Sequence, residues 1–232
     1  FELQIQQEYN YAVRALLKKI RPDAVFHFAA ATSVDWCEAH PEEALAINAH
    51  ASGVVASATR EVGARFVYMS TDAVFDGVRG CYNETDTLAP VNVYAASKLE
   101  GEREVVRSHP AALIVRANIF GWNALPKQNL AESILSALRK GQEFPGYHDV
   151  IFAPVLVNTL AEWMLMLEAK GVCGTIHVAS HNPMSKGGFA VELARVFGLR
   201  GELVRPTCYA ALLPRQGATR PLNTWLSGAI AS

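Results

Sequence analysis

Long hydrophobic runs are missing from this 232-residue chain. No stretch approaches the ~18 apolar residues that a membrane helix requires, and the most apolar helical candidate, Leu160 to Leu167, is interrupted by Glu162. The opening Phe1-Glu2-Leu3-Gln4 does not read as a targeting segment. An excess of charge of one sign is also missing: 21 Lys+Arg stand against 22 Asp+Glu, for a net charge of -1. The electrostatic footprint that supplies nucleic-acid or anionic-membrane affinity is therefore absent, and neither partner is expected. Cysteine is scarce, at four, and Cys37, Cys81, Cys173 and Cys208 form no CxxC pair. That spacing excludes a zinc ribbon or a small disulfide framework, so no metal site is expected and a reducing, cytoplasmic compartment is. No internal repeat or low-complexity tract occurs. At 50% hydrophobic and 19% charged, the chain is globular rather than disordered or fibrous.

What is present is alternation. Between Gln7 and Ile20 apolar residues recur at helical spacing, Arg21-Pro22-Asp23 breaks the pattern, and the compact run Ala24 to Phe28 reads as a buried strand. Pro41 opens a long helix to Val62, Gly63 closes it, and Arg65 to Ser70 forms the next strand. A third cycle runs from a helix at Val93 to Ser108 through Pro110 to the strand Ala112 to Arg116. Strands that are apolar throughout and separated by helices predict a parallel sheet covered on both faces. After Arg116, Gly121, Pro126, Gly141, Pro145, Gly146 and Pro154 punctuate two short helices, Asn129 to Lys140 and Val157 to Lys170. This predicts a smaller lobe grafted on the sheet, completed by a strand at Thr175 to Val178 and a helix at Ser185 to Phe197. From Thr207 the tail shows no period.

The sharpest chemical signal is Tyr94-Ala95-Ala96-Ser97-Lys98. Positions i and i+4 share a helix face, so a phenol stands beside an ammonium. A neighbouring cation favours the phenolate, which would lower a pKa that starts near ~10 toward the range of a general acid/base. Ser70-Thr71-Asp72 ends a predicted parallel strand, the place where open α/β sheets bind ligands. Ala29-Ala30-Ala31 follows the preceding strand, and side chains so small let a flat ring or a backbone approach closely. His27 falls inside a buried strand and reads as a core histidine. His177 and His181 sit on a strand and a following loop, which do not bring them to one face.

Taken in order, His27-Phe28-Ala29-Ala30-Ala31, Tyr68 to Gly77 (Tyr-Met-Ser-Thr-Asp-Ala-Val-Phe-Asp-Gly), Pro90 to Lys98 and Gly101-Glu102 resemble successive blocks of the extended short-chain dehydrogenase/reductases. The nearest branch is that of the dTDP-4-dehydrorhamnose reductases, whose members end the same strand with Ser-Thr-Asp and continue to Val-Phe-Asp-Gly. The similarity spans roughly Leu16 to Phe197. It implies a Rossmann-like, doubly wound α/β fold with a small C-terminal substrate lobe. Residues 1–120 would be the remainder of the dinucleotide-binding domain, and 121–232 mainly the lobe with returning sheet elements.

The resemblance further implies an NAD- or NADP-dependent reductase of a nucleotide-activated 4-keto deoxysugar. Tyr94 would be the acid/base, and Lys98 would lower its pKa and hold the nicotinamide ribose. Thr71 would orient the substrate oxygen, with Asp72 and Asn118 on the substrate side and the Asn118 amide against the nucleotide diphosphate. Ala29, Ala30, Ala31 and Met69 would line the nicotinamide. Ile119 and Ala73 stand where the branch usually carries aromatics. Nothing before Ala24 resembles the strand, glycine-rich turn and helix that hold the pyrophosphate in such folds, so the resemblance implies that about two βα units lie outside this sequence. The same branch includes the non-catalytic β subunit of methionine adenosyltransferase, and related enzymes are nucleotide-sugar epimerases and dehydratases. These are the competing readings. Oligomeric state is open, with a homodimer as the assembly considered.

Overall fold

The computed structural model describes residues 2–124, 128–212 and 217–228, with side chains from residue 7 onward. Helix α1 (Glu2–Ile20) leads through Arg21, in the left-handed region at φ 48°, to β1 (Ala24–His27). Next come the short helices α2 (Val34–Ala39) and α3 (Pro41–Leu45), a π-helical turn at Ala46–His50, and α4 (Ala51–Glu61). Strand β2 (Arg65–Thr71), helix α5 (Val93–Ser108) and strand β3 (Leu113–Phe120) complete the sheet-forming half. The lobe and its returning elements comprise α6 (Leu130–Arg139), β4 (Phe144–Tyr147), β5 (Ile151–Phe152), β6 (Pro154–Leu156), α7 (Val157–Ala169), β7 (Gly174–His177), β8 (Met184–Ser185), α8 (Lys186–Val196) and β9 (Val204–Thr207).

The central sheet is parallel throughout. Its order is β1-β2-β3, after which it forks: β3 pairs with β7 along Leu113–Arg116 and with β6 along Asn118–Phe120. Among the described residues β1 pairs only with β2, so it is an edge strand. Phe66, Tyr68 and Ile114 pack under α4 and α5 on one face, while Val67, Leu113 and Val115 pack against Leu160, Met164 and Leu167 of α7 on the other. Both faces are thus covered, as continuous apolar strands require. The lobe has its own core, in which Ile134, Leu135 and Leu138 of α6 meet Phe189, Ala190 and Leu193 of α8.

Three features depart from the sequence expectation. The long helix from Pro41 to Val62 is interrupted at the π turn, because Asn48 is pulled into other bonds. Its carbonyl accepts from the hydroxyls of Tyr68 (3.1 Å) and Ser52 (2.9 Å), and its side chain clasps Ala31 through N–H to Oδ1 (2.8 Å) and Nδ2 to carbonyl (3.0 Å). A widened turn supplies the space for such substitutes for the helical ladder. Strand β3 continues past Arg116 to Phe120, where β6 offers it a second partner. The lobe holds two small two-stranded sheets, β4 with β9 and β5 with β8, whose strands are too short for any periodicity to register.

Beneath the strand ends lies a buried polar chain. Ser70 Oγ donates to Glu102 Oε1 (2.5 Å), and Arg116 grips the same carboxylate through Nε (2.9 Å) and Nη2 (2.6 Å). Arg116 also lies over the Phe75 ring and beside His177, which is bonded to the Tyr82 carbonyl. His27 is a core histidine, as expected, with Nε2 3.1 Å from Ser52 Oγ. No described helix is long and apolar enough to cross a membrane.

Candidate active site

At the carboxyl ends of β1, β2 and β3, facing the lobe, opens a cleft of about 560 Å³. This is where parallel α/β sheets expose backbone and side chains to ligands. Thr71, Asp72, Tyr94, Lys98, Met69, Ala30 and Asn118 all line it. Thr71 closes β2 and accepts from the Ala73 amide (3.2 Å), the side-chain cap that starts a short 3-10 turn at Asp72–Val74. Tyr94 lies in the first turn of α5, whose N-cap is Asn92, bonded to the Ala95 amide (2.9 Å). Thr71 stands with Tyr94 on the same wall of the cleft.

The charges arrange themselves differently from a simple Tyr–Lys pair. Lys98 is almost wholly buried, and its ammonium donates to the Tyr68 hydroxyl (2.8 Å) and the Met69 carbonyl (2.8 Å). Burial pulls its pKa down to about 7, with Glu102 opposing the shift. Burial pushes the Tyr94 phenol up to about 12, against the opposing influence of Thr71. Lys98 is not among the groups that shift the Tyr94 phenol: its ammonium is directed at Tyr68, and burial dominates Tyr94.

Asp72 is buried, and all its bonds run to protein donors: Thr71 Oγ1 (3.2 Å), Asn118 Nδ2 (2.9 Å) and Thr224 Oγ1 (2.5 Å). Burial raises its pKa despite them. The Asn118 amide, expected against a diphosphate, is committed to Asp72. Of the three alanines only Ala30 lines this cleft. Ala29 lines a separate cavity behind β1 with His27 and Ile47, and the backbone of Ala31 is tied to Asn48.

Sequence reasoning missed the opposite wall. Lys186, Arg220 and Thr224 line the cleft beside Val150, Ile151 and Phe152. The tail that carries Arg220 and Thr224 crosses back over the sheet half. Its Thr219 carbonyl accepts from Asn92 Nδ2 (2.8 Å), Asn223 bridges to Ile151, and Leu226 bridges to Tyr82. Ser185 caps α8 just before Lys186, but nothing local to these residues connects them with Thr71 or Tyr94.

A cleft at the carboxyl edge of a doubly wound parallel sheet, with Thr, Tyr and Lys on its β2–α5 wall, defines a Rossmann-like protein of the extended short-chain dehydrogenase/reductase type. The chain belongs to the family described as RmlD substrate binding domain, whose model matches residues 2–231. It is 34% identical to a probable low-salt glycan biosynthesis reductase, Agl14, of Haloferax volcanii, covering 91% of this chain and 71% of the relative. It is 34% identical to dTDP-4-dehydrorhamnose reductase of Mycobacterium tuberculosis (88% and 74% covered) and 32% identical to methionine adenosyltransferase 2 subunit beta of Danio rerio (93% and 68%). Among solved structures, dTDP-4-dehydrorhamnose reductase of Bacillus anthracis in complex with NADP superposes with a TM-score of 0.87 at 31% identity, covering 95% of this chain and 76% of that one.

Proposed function

We propose that the protein is an NAD(P)-dependent reductase of a nucleotide-activated 4-keto deoxysugar. The observation that carries this reading is the gathering of Thr71, Tyr94 and Lys98 along one wall of the cleft. The residues fit the nicotinamide end of the cofactor. Lys98 uses two of its three N–H groups on Tyr68 and Met69 and has one left for ribose hydroxyls, and Ala30 and Met69 leave a shelf for a flat ring. Bound NAD(P)H supplies hydride to the sugar carbonyl carbon. Tyr94 gives its phenolic proton to the carbonyl oxygen, toward which Thr71 turns its one hydroxyl proton from Asp72. Its high pKa keeps Tyr94 protonated and able to donate at neutral pH. Asp72 and Asn118 fix Thr71 and the substrate side of the cleft.

Tyr94→Phe should bind NADPH normally and lose turnover by about 10²-fold or more, since only proton transfer is removed. The assay is NADH or NADPH oxidation with a panel of nucleotide 4-ketosugars, and unchanged kcat overturns the assignment. The similarity to methionine adenosyltransferase 2 subunit beta supports a second reading, a dinucleotide-binding regulatory subunit. NADPH binding without turnover on any of these sugars would favour it.

A further inference from the structure

Asp72 gathers three hydrogen-bond donors, and its two oxygens do not share them evenly. Oδ2 accepts from Thr224 Oγ1 (2.5 Å) and Asn118 Nδ2 (2.9 Å), whereas Oδ1 has only the longer bond from Thr71 Oγ1 (3.2 Å). Asp72, Thr71 and Thr224 are all buried, so a lost donor is not freely replaced by water. The Thr71 oxygen is held in place by the Ala73 amide, and only its proton can turn. A hydroxyl carries one proton, so Thr71 donates to a substrate oxygen only by releasing Asp72. What Asp72 keeps when that happens decides how readily the proton turns.

Thr224 reaches this carboxylate from 152 residues further along the chain. Its backbone is pinned without help from its side chain. The Thr224 amide donates to the Ile151 carbonyl (3.1 Å), the Ile151 amide to the Leu222 carbonyl (2.7 Å) and the Asn223 amide to the Gly77 carbonyl (2.8 Å). The tail is therefore fixed to the lobe and to the sheet half by its main chain, which leaves the Thr224 hydroxyl to serve Asp72. Bonds to a carboxylate are charge-assisted, so two close donors on Oδ2 preserve most of its stabilisation while Oδ1 stands empty. With one of them gone, the carboxylate holds the Thr71 proton more firmly.

We infer that Thr224 is a positioning residue for the reaction: by occupying Oδ2 of Asp72 it frees the Thr71 proton to turn to the substrate oxygen. This deepens the proposed function and rests on it. Thr224 acts through Asp72 and Thr71. The same tail also steadies the second hydroxyl of the site, because the Thr219 carbonyl accepts from Asn92 Nδ2 and Asn92 caps the helix that bears Tyr94. One short segment, residues 219–224, thus sets both Thr71 and Tyr94.

The test is turnover with NADPH and the nucleotide 4-ketosugars for Thr224→Val, which keeps the shape and removes the donor, in the wild type and in the Thr71→Ala background. Thr224→Val should lower kcat about 3- to 10-fold, the worth of one hydrogen bond. KM and NADPH affinity should stay close to wild type, because the Thr71 bond strengthens only as charge grows on the substrate oxygen. Thr224→Ala, which cannot overpack, should repeat the valine result, and Thr224→Ser should restore most of the rate. In the Thr71→Ala background the valine should change kcat little, whereas independent sites would give the same fold loss in both. An unchanged kcat in Thr224→Val, a serine as damaging as valine, or equal losses in the two backgrounds would each overturn the inference.

Carboxyl 13C NMR of aspartate-labelled protein reads the same bond without turnover, with the Asp72 resonance identified by its loss in Asp72→Asn. Lys186 of α8 and Tyr94 of α5 are the titratable groups coupled to this carboxylate, and both remain in the variant. Thr224→Val should move the Asp72 midpoint upward, since a donor that favours the charged form is gone. An unmoved midpoint refutes the brace even where ketosugars are reduced. A wild type that reduces none of the sugars overturns the reductase reading, and the midpoint then still decides whether Thr224 governs Asp72.

Discussion

The two walls of the cleft are built by opposite strategies. The β2–α5 wall takes Thr71, Tyr94 and Lys98 from one strand and the next helix, and stands on a buried polar chain that runs from Ser70 through Glu102 and Arg116 to His177. The facing wall takes Lys186 from the start of α8 and Arg220 and Thr224 from an irregular tail, joined by one exposed ion pair, a buried hydroxyl bond to Asp72, single bridges and backbone bonds. The first wall is rigid and local, as suits groups that must meet a reacting atom within hydrogen-bond reach. The second is assembled from remote segments, and it is tied to the first through the Thr224 hydroxyl on Asp72 and the Thr219 carbonyl on Asn92.

The largest expected effect comes from attacking the foundation of the rigid wall. Arg116→Met leaves Glu102 buried and without its cation, and breaking a buried pair from one side costs about 3–5 kcal/mol. Urea denaturation should show that loss in full. A change below about 1 kcal/mol would mean that the chain beneath the strands is not what stiffens this wall. The counterpart on the lobe side is Asp149, whose carboxylate collects the amides of Tyr209 (2.7 Å) and Ala210 (2.7 Å). Asp149→Ala should cost less, about 1–2 kcal/mol, because the site is only half-buried and water can replace the acceptor. Equal losses in the two variants would erase the contrast between the walls.

The same contrast decided what could be read from sequence. The rigid wall was legible because its residues lie in long, periodic elements: the helix at Val93–Ser108 was placed to the residue, and Thr71 closes a seven-residue strand. Lys186, Arg220 and Thr224 were invisible because their meaning depends on a tail that crosses the fold from residue 217 onward, a contact no local pattern encodes. The Lys98–Tyr68 bond was missed for a related reason. The i,i+4 spacing brings Lys98 near Tyr94, but the sheet places Tyr68 directly beneath it, and tertiary context won. The π turn was hidden too, since Asn48 leaves the helical ladder only because Tyr68 and Ala31 stand within reach.

Lys98 gives the rigid wall a pH signature. Its folded pKa, about 7, lies below its unfolded value near ~10.4, so between those limits the unfolded chain holds a proton that the folded chain has released. Stability supplied by this residue therefore rises with pH through that window, at no more than about 1.4 kcal/mol per unit. Above pH ~10 the Tyr94 phenol, raised to about 12, acts in the other sense, because the folded chain then keeps a proton that the unfolded one loses. Urea denaturation of the wild type and of Lys98→Met at pH 7, 8 and 9 isolates the lysine: the wild type should gain on the variant with each step. A difference independent of pH would mean that Lys98 stays fully charged in the fold, held by Glu102 as well as by Tyr68.

The smallest effect is the most discriminating for the site itself. Thr71 Oγ1 accepts from the Ala73 amide, donates to Asp72 and lines the cleft beside Tyr94, so one oxygen serves as cap, brace and candidate substrate contact. Thr71→Ala removes all three, and a hydrogen bond of this kind contributes about 0.5–1.5 kcal/mol, more when it forms to developing charge. Turnover should fall by roughly 3- to 10-fold in kcat, since the bond to the substrate oxygen strengthens as negative charge grows there, with a modest loss of stability from the missing cap. Thr71→Ser keeps the oxygen and drops only the methyl, and it should be close to wild type in both kcat and urea midpoint. If serine lowers kcat as much as alanine does, the methyl is what holds the wall in place. Thr71 would then belong to the packing of the β2–α5 wall, and Tyr94 alone would carry its chemistry.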